Sequence, residues 1–188
     1  MANPHNAHEF VFFDPDHDLA HVKGNLPHWR QDGAIYFATF RAADSLPLAR
    51  RHAIAADANQ ARFVRRFHRQ LDAGHGECLL ADPQCRTIVE VALGQFDGSR
   101  YALDEYVVAA NHVHVLVTPF PNKQLSAILQ SWKSFTAKAI NRMYGRSGRF
   151  WQKESFDHML RNQDQLESVR DYIRAHPAWH RTRAARGR

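Results

Sequence analysis

His112 and His114 flank a single valine in the run Asn111-His112-Val113-His114-Val115-Leu116-Val117. Successive side chains of a β-strand leave opposite faces, so Val113, Val115 and Val117 point one way and both imidazoles point the other. Two imidazoles on one face, two residues apart, can share one metal ion, and imidazole is the commonest protein ligand for transition metals. The same spacing also suits an edge strand whose imidazoles face solvent or a hydrogen-bonded groove. A second segment, Asp171-Tyr172-Ile173-Arg174-Ala175-His176, offers a phenol and a third imidazole four residues apart, which stacks them on one helix face. Alone it also reads as a core-edge tyrosine with a histidine favoured by the helix dipole. Set beside the pair, the two segments describe a cation held by His112, His114 and His176 with Tyr172 as a nucleophile.

Such a cation would orient a phosphoryl group and neutralise the charge that builds on it. A phenol's ordinary pKa is about 10, so Tyr172 attacks only where a base, a metal or a cationic neighbour favours phenolate. Attack on a phosphodiester leaves a phosphotyrosine that keeps the energy of the broken ester. A strand hydroxyl can then reverse the step and rejoin the chain, whereas water would discard that energy.

The elements that must position these groups are legible from periodicity. Gly33 to Phe40 is rich in β-branched and aromatic residues and predicts a first strand. Asp44-Ser45-Leu46-Pro47 opens a helix over 48–73, with Ile54, Ala58, Ala61, Val64, Phe67 and Leu71 at helical spacing and Gly74 and Gly76 as its stop. A short strand is expected at 78–80, a helix at 83–96, and strands at 101–109 and through the histidine segment. A long helix at 125–144 and a short strand at 156–160 follow. The last helix has a readable start, with Asn162 as cap and Gln165 able to return a capping-box bond, and Pro177 ends it. Strand, helix, short strand, helix, strand, strand, helix is the order of an α+β sandwich with helices packed on an antiparallel sheet.

The chain has 188 residues, enough for one domain with a real core. Lys and Arg number 25 against 19 Asp and Glu, for a net charge of +6 and a pI near 9.7. A basic domain most often has a polyanionic partner, usually nucleic acid. No apolar run approaches the roughly 18–20 residues of a membrane span, and the His- and Asp-rich start is unlike a signal peptide. Cys78 and Cys85 are read as reduced thiols of a cytoplasmic, nucleoid-associated protein. Residues 1–25 read as a flexible arm, 26–178 as the functional domain and 179–188 as a basic tail.

Several strings together resemble the REP-associated tyrosine transposases, of the single-tyrosine branch of the HUH nuclease superfamily. They are Leu26 to Arg30, Tyr36 to Arg41 with Ala43 to Pro47, Tyr106 to Val108, Asn111 to Pro119, Trp132 to Thr136, Gly145 to Gln152, Ser155 to His158, and Tyr172-Ile173 ahead of Pro177. The resemblance implies a ferredoxin-like core, dependence on Mg²⁺ or Mn²⁺, and cleavage and rejoining of single-stranded DNA near hairpins through a 5′-phosphotyrosine. It maps His112 and His114 onto the metal pair, Tyr172 onto the nucleophile, and His176 onto the remaining ligand. There the relatives carry Asn or Gln, and three imidazoles admit Zn²⁺ as well as Mn²⁺. The relatives also have Met-Pro where this chain has Ala109-Ala110, and they include both monomers and homodimers. A hairpin-binding protein without catalysis and a three-histidine zinc hydrolase are the competing expectations.

DNA contacts are expected from Lys133, Lys138 and Arg142 along one helix, and from Arg146, Arg149 and Arg161 around the next loop. Trp151, beside Phe150 among these charges, suits either base stacking or a core anchor. The tail arginines 181, 183, 186 and 188 would add salt-sensitive affinity without sequence preference.

Overall fold

A computed structural model describes residues 11–14, 20–22, 28–46 and 60–178 of the chain. Three-residue strands β1 (Ala20–Val22) and β2 (His28–Arg30) pair antiparallel as a separate ribbon. The main sheet holds β3 (Tyr36–Arg41), β4 (Tyr101–Val108), β5 (His112–Pro119) and β6 (Phe156–Met159) in the order β4-β5-β3-β6, all antiparallel. Helices α1 (Gln60–Asp72) and α2 (Pro83–Gly94) fall between β3 and β4, α3 (Leu125–Met143) between β5 and β6, and α4 (Gln163–Ala175) after β6. This is the expected α+β, ferredoxin-like sheet with helices packed on it.

Alternation along the two central strands divides the core. Tyr36, Ala38 and Phe40 of β3 join Val113, Val115 and Val117 of β5 on one face, against Val89 and Leu93 of α2 and Ile128, Trp132 and Ile140 of α3. Ile35, Phe37, Val107 and Leu116 line the other face, under Leu166 and Ile173 of α4 and the half-buried Val169 and Tyr172. The histidine strand is therefore interior, not an edge. His112 and His114 are 1% and 0% exposed, which removes the solvent-facing alternative.

Several boundaries differ from the expected ones, each for a local reason. β3 begins at Tyr36 because Gly33 turns the chain at φ 72°. The predicted strand at 78–80 is instead a 3-10 turn over Leu79–Ala81, entered through Cys78 in the left-handed region at φ 54°. The first half of the predicted helix 48–73 lies outside the described residues; the second half is α1. Asn162 caps α4 by accepting from Gln165 N–H, but the Gln165 side chain accepts from Arg161 N–H rather than from the cap's own amide. Of the expected arm and tail, only residues 11–14 and 20–22 are described. There Phe13 N–H donates to Leu160 C=O and Ile35 N–H to Val11 C=O, so this short piece is tied to the sheet margin. No helix among the described residues is long and apolar enough to cross a membrane.

Candidate active site

Sheet register sets the histidine geometry. Thr39 of β3 stands opposite His114 of β5, and its Oγ1 lies 2.8 Å from His114 Nδ1. Asn111 leads into β5, and its Oδ1 lies 2.8 Å from His112 Nδ1. The amide orientation is fixed from its other end, because Asn111 Nδ2 donates to His75 C=O. With Asn111 Oδ1 as acceptor, the His112 proton sits on Nδ1 and Nε2 is left with a free lone pair. Outer partners of this kind orient metal-binding imidazoles. The two Nε2 atoms converge to 3.1 Å.

Helix α4 brings Tyr172 to the same point, its Oη 3.1 Å from His114 Nε2. The ring is wedged edge-on to Phe37 at 6.2 Å between centroids. His176 arrives differently from the expected stacking on one helix face. It lies past the end of α4 with ψ 133°, because the residue before a proline is pushed out of helical backbone. Its ring nonetheless approaches those of His112 and His114, at 5.6 and 6.1 Å between centroids.

Two further members come from α1, where sequence analysis assigned no role. Asp72 Oδ1 lies 3.4 Å from His112 Nε2 and 3.2 Å from His176 Nε2, so Asp72, His112 and His176 form a cluster able to hold a metal ion. His68, one turn earlier, stacks on Tyr172 at 5.7 Å and 20°, and meets His114 edge-on at 4.9 Å. Their i, i+4 spacing beside the Phe67 and Leu71 stripe was the available signal, but nothing in the sequence docks that helix on the His112 strand.

Electrostatics favour neutral imidazoles beside an ionised acid. Burial, and then the neighbouring imidazoles, push His114 well below its ordinary value. Burial also lowers His112, against the pull of Asp72. Burial by itself would raise the Asp72 carboxyl, but the adjoining His112 and His176 imidazoles hold it well below the usual carboxylate range. Tyr172 is raised, first by burial and then by the Asp72 charge, so its phenol stays protonated in the cation-free protein. Two imidazole Nε2 atoms converging near a carboxylate make a donor set that fits a divalent cation.

Burial also pushes His68, which packs on Tyr172, and His158 from 6.5 down to about 4, aided by His112 and Arg161 respectively. Both bind a proton more readily in the unfolded chain than in the folded one. Stability should therefore be full above about pH 6.5 and fall as the pH drops towards about 4, by a few kcal/mol for the pair. Thermal melts between pH 7.5 and 4.5 check this; a flat melting temperature across that window would mean both rings are solvated in the folded protein.

The basic residues expected to contact DNA are dispersed. Lys133 and Arg149 line a cavity of about 550 Å³ on the α3 side of the sheet, opposite Tyr172, together with Arg30, Lys153 and the acidic Glu154 and Asp157. Lys133 Nζ donates to Lys153 C=O at 2.7 Å and to Ser155 Oγ at 3.2 Å; burial draws its ammonium down to about 8 despite Glu154. Lys138 and Arg142 are exposed on α3, Arg146 is paired with Glu77, and the Arg161 guanidinium lies 5.9 Å from the Phe13 ring. Trp151 is only 4% exposed, with Nε1 donating to Thr136 Oγ1 and its ring 4.8 Å from Phe40. It anchors the core and has little face to offer a base.

Comparison with known proteins agrees with this architecture. No curated protein matches the sequence. Among solved structures, the chain resembles a REP-associated tyrosine transposase bound to a REP hairpin at 17% identity, over 84% of this chain and 74% of that one, with a TM-score of 0.55. A candidate transposase from Deinococcus radiodurans aligns over 77% of this chain and 91% of its own, at 13% identity and a TM-score of 0.40. The first supports the fold. The family model for IS200-like transposases matches residues 81–176, just over half of the chain, a span that holds β4, β5 and the segment from Tyr172 to His176. On that match, the chain belongs to the IS200-like transposase family.

Proposed function

We propose that this protein is a metal-dependent strand transferase that cleaves and rejoins single-stranded DNA beside REP-type hairpins, with Tyr172 as nucleophile. The observation that carries this is the 3.1 Å approach of Tyr172 Oη to His114 Nε2, itself 3.1 Å from His112 Nε2. A phenol, two converging imidazole Nε2 atoms and an ionised carboxylate meet where α1, β5 and α4 converge. Bound there, Mg²⁺ or Mn²⁺ would polarise the scissile phosphate and neutralise the charge developing on it.

The remaining steps belong to the chain's own residues. Phe37 and His68 hold the Tyr172 ring between β3 and α1, so the oxygen is presented rather than free to rotate away. Were a cation held at its Nε2, His114 would no longer hold the Tyr172 hydroxyl. Tyr172 Oη gives its proton to solvent water and bonds to phosphorus, and the bond from phosphorus to the 3′-oxygen breaks. The 3′-oxygen takes up a proton from water to become a free hydroxyl, and the 5′-phosphate stays on the tyrosine. Attack by a strand 3′-hydroxyl on that phosphotyrosine reverses the sequence and returns the proton to Tyr172, which is joining.

The test is a denaturing gel of end-labelled single-stranded hairpin oligonucleotides incubated with the protein and Mn²⁺ or Mg²⁺. A covalent protein–DNA band together with a cleaved strand is the expected result. Hairpin binding without either would leave a binding module. Cleavage without a covalent band would favour hydrolysis by metal-bound water.

The DNA path on this reading includes the cavity around Lys133 and Arg149, with Lys138, Arg142, Arg146 and Arg161 adding outer charge. Replacing Lys133 and Arg149 together by alanine should weaken single-strand binding and flatten its salt dependence. Each lost phosphate contact should remove about 0.7 from the slope of log affinity against log salt. Fluorescence anisotropy at several salt concentrations measures this; an unchanged slope would take the strand elsewhere.

A further inference from the structure

Position 176 is expected to supply the last metal ligand, yet hydrogen bonding at the end of α4 argues against it. Pro177 has no N–H, so Ala178 carries the next amide beyond the helix, and it donates to His176 Nδ1 at 3.1 Å. A neutral imidazole whose Nδ1 accepts must carry its proton on Nε2. That Nε2 faces Asp72 Oδ1 at 3.2 Å as a donor and has no lone pair for a cation. His112 is arranged the opposite way, with Nδ1 donating to Asn111 and Nε2 bare.

Asp72 is better placed to ligate. Its Oδ1 is 3.4 Å from His112 Nε2, and His114 Nε2 is 3.1 Å from the same atom. Neighbouring ligands of an octahedral cation with bonds of about 2.1 Å stand about 3 Å apart. The Asp72 side chain is 37% exposed, so a cation and its waters can reach it from solvent. A carboxylate steadied by an imidazole N–H is a usual outer arrangement at metal centres.

We propose that Asp72 of α1 is the third protein ligand and that His176 is a positioning residue that holds the Asp72 carboxylate in place. The inference rests on reading the His112/His114 pair as a cation site. It replaces three imidazoles with two imidazoles and a carboxylate oxygen, a donor set that suits Mn²⁺ or Mg²⁺ better than an all-nitrogen one. It also makes α1 part of the metal centre.

The experiment uses the full chain, ¹⁵N-labelled, without DNA. Long-range proton–nitrogen correlation spectra report which ring nitrogen of each histidine carries the proton, before and after Mg²⁺ is added. Nε2 of His112 and His114 should shift on loading, while His176 keeps its Nε2 proton and bare Nδ1. Deprotonation and shift of His176 Nε2 alongside the other two would overturn the assignment. Mn²⁺ affinity, read from the free-ion electron paramagnetic resonance signal, gives a second arm. His176→Ala should weaken binding about 10–100-fold, as loss of an outer partner does, and Asp72→Ala should weaken it at least as much. The double variant should bind no more weakly than Asp72→Ala, because His176 acts only through that carboxylate. Additive losses, or a wild-type chain that binds neither ion, would sink the proposal. A protein that loads metal in this way yet forms no DNA adduct would refute strand transfer and leave the Asp72 assignment standing.

Discussion

Tyr172→Phe should abolish the covalent protein–DNA band completely while leaving hairpin affinity nearly unchanged. The substitution removes one oxygen and keeps the ring that packs against Phe37 and His68. Among the described residues the hydroxyl bonds to His114 Nε2, so the folding cost should be on the order of 1 kcal/mol, that of one hydrogen bond. Chemistry has no such tolerance, because the phosphotyrosine bond forms on the deleted atom. A denaturing gel reads the adduct and a native gel reads hairpin binding on the same preparation. An undiminished adduct in the Phe variant would place the nucleophile elsewhere; persistent cleavage with no adduct in either protein would assign the reaction to water.

Loss of either strand imidazole should be nearly as severe. His112→Ala and His114→Ala are each expected to lower metal-dependent cleavage by three decades or more, since a cation at a developing phosphoryl charge contributes several kcal/mol. The two variants differ in what else they disturb. His114→Ala removes the partner of both Thr39 Oγ1 and Tyr172 Oη, whereas His112→Ala strands Asn111 Oδ1 and takes away the imidazole beside Asp72. A thermal melt and a hairpin-binding measurement on each variant separate lost chemistry from lost fold. Cleavage rates within about tenfold of wild type at saturating Mn²⁺ would show that the pair is not the cation site.

Both predictions depend on groups that local periodicity could pair but not assemble. Alternation in β5 assigned both imidazoles to one face and the valines to the other, and the sheet keeps that assignment. The Val169 and Ile173 stripe likewise turned Tyr172 towards the sheet. His176 reaches the cluster by another route than helical spacing suggests, because the turn forced by Pro177 places it. Trp151 shows the limit from another side. Its neighbours in sequence are cations, its neighbours in space are Phe40 and Thr136, and only the latter decide whether its face is free.

What the amino-acid sequence determined by itself is whatever a two-residue or 3.6-residue repeat can encode: the strands, most helices, the two-faced sheet and the shared face of His112 and His114. Tertiary structure alone decided that α1 lies over that face, which brings Asp72 to His112 and His176 and sets His68 against Tyr172. It also decided that the cavity beside Lys133 opens on the far side of the sheet. The physical reason is range. A repeat is set by backbone geometry over a few residues, whereas the docking of a helix 40 positions upstream of β5, from Asp72 to His112, depends on burying apolar surface from elements distant along the chain.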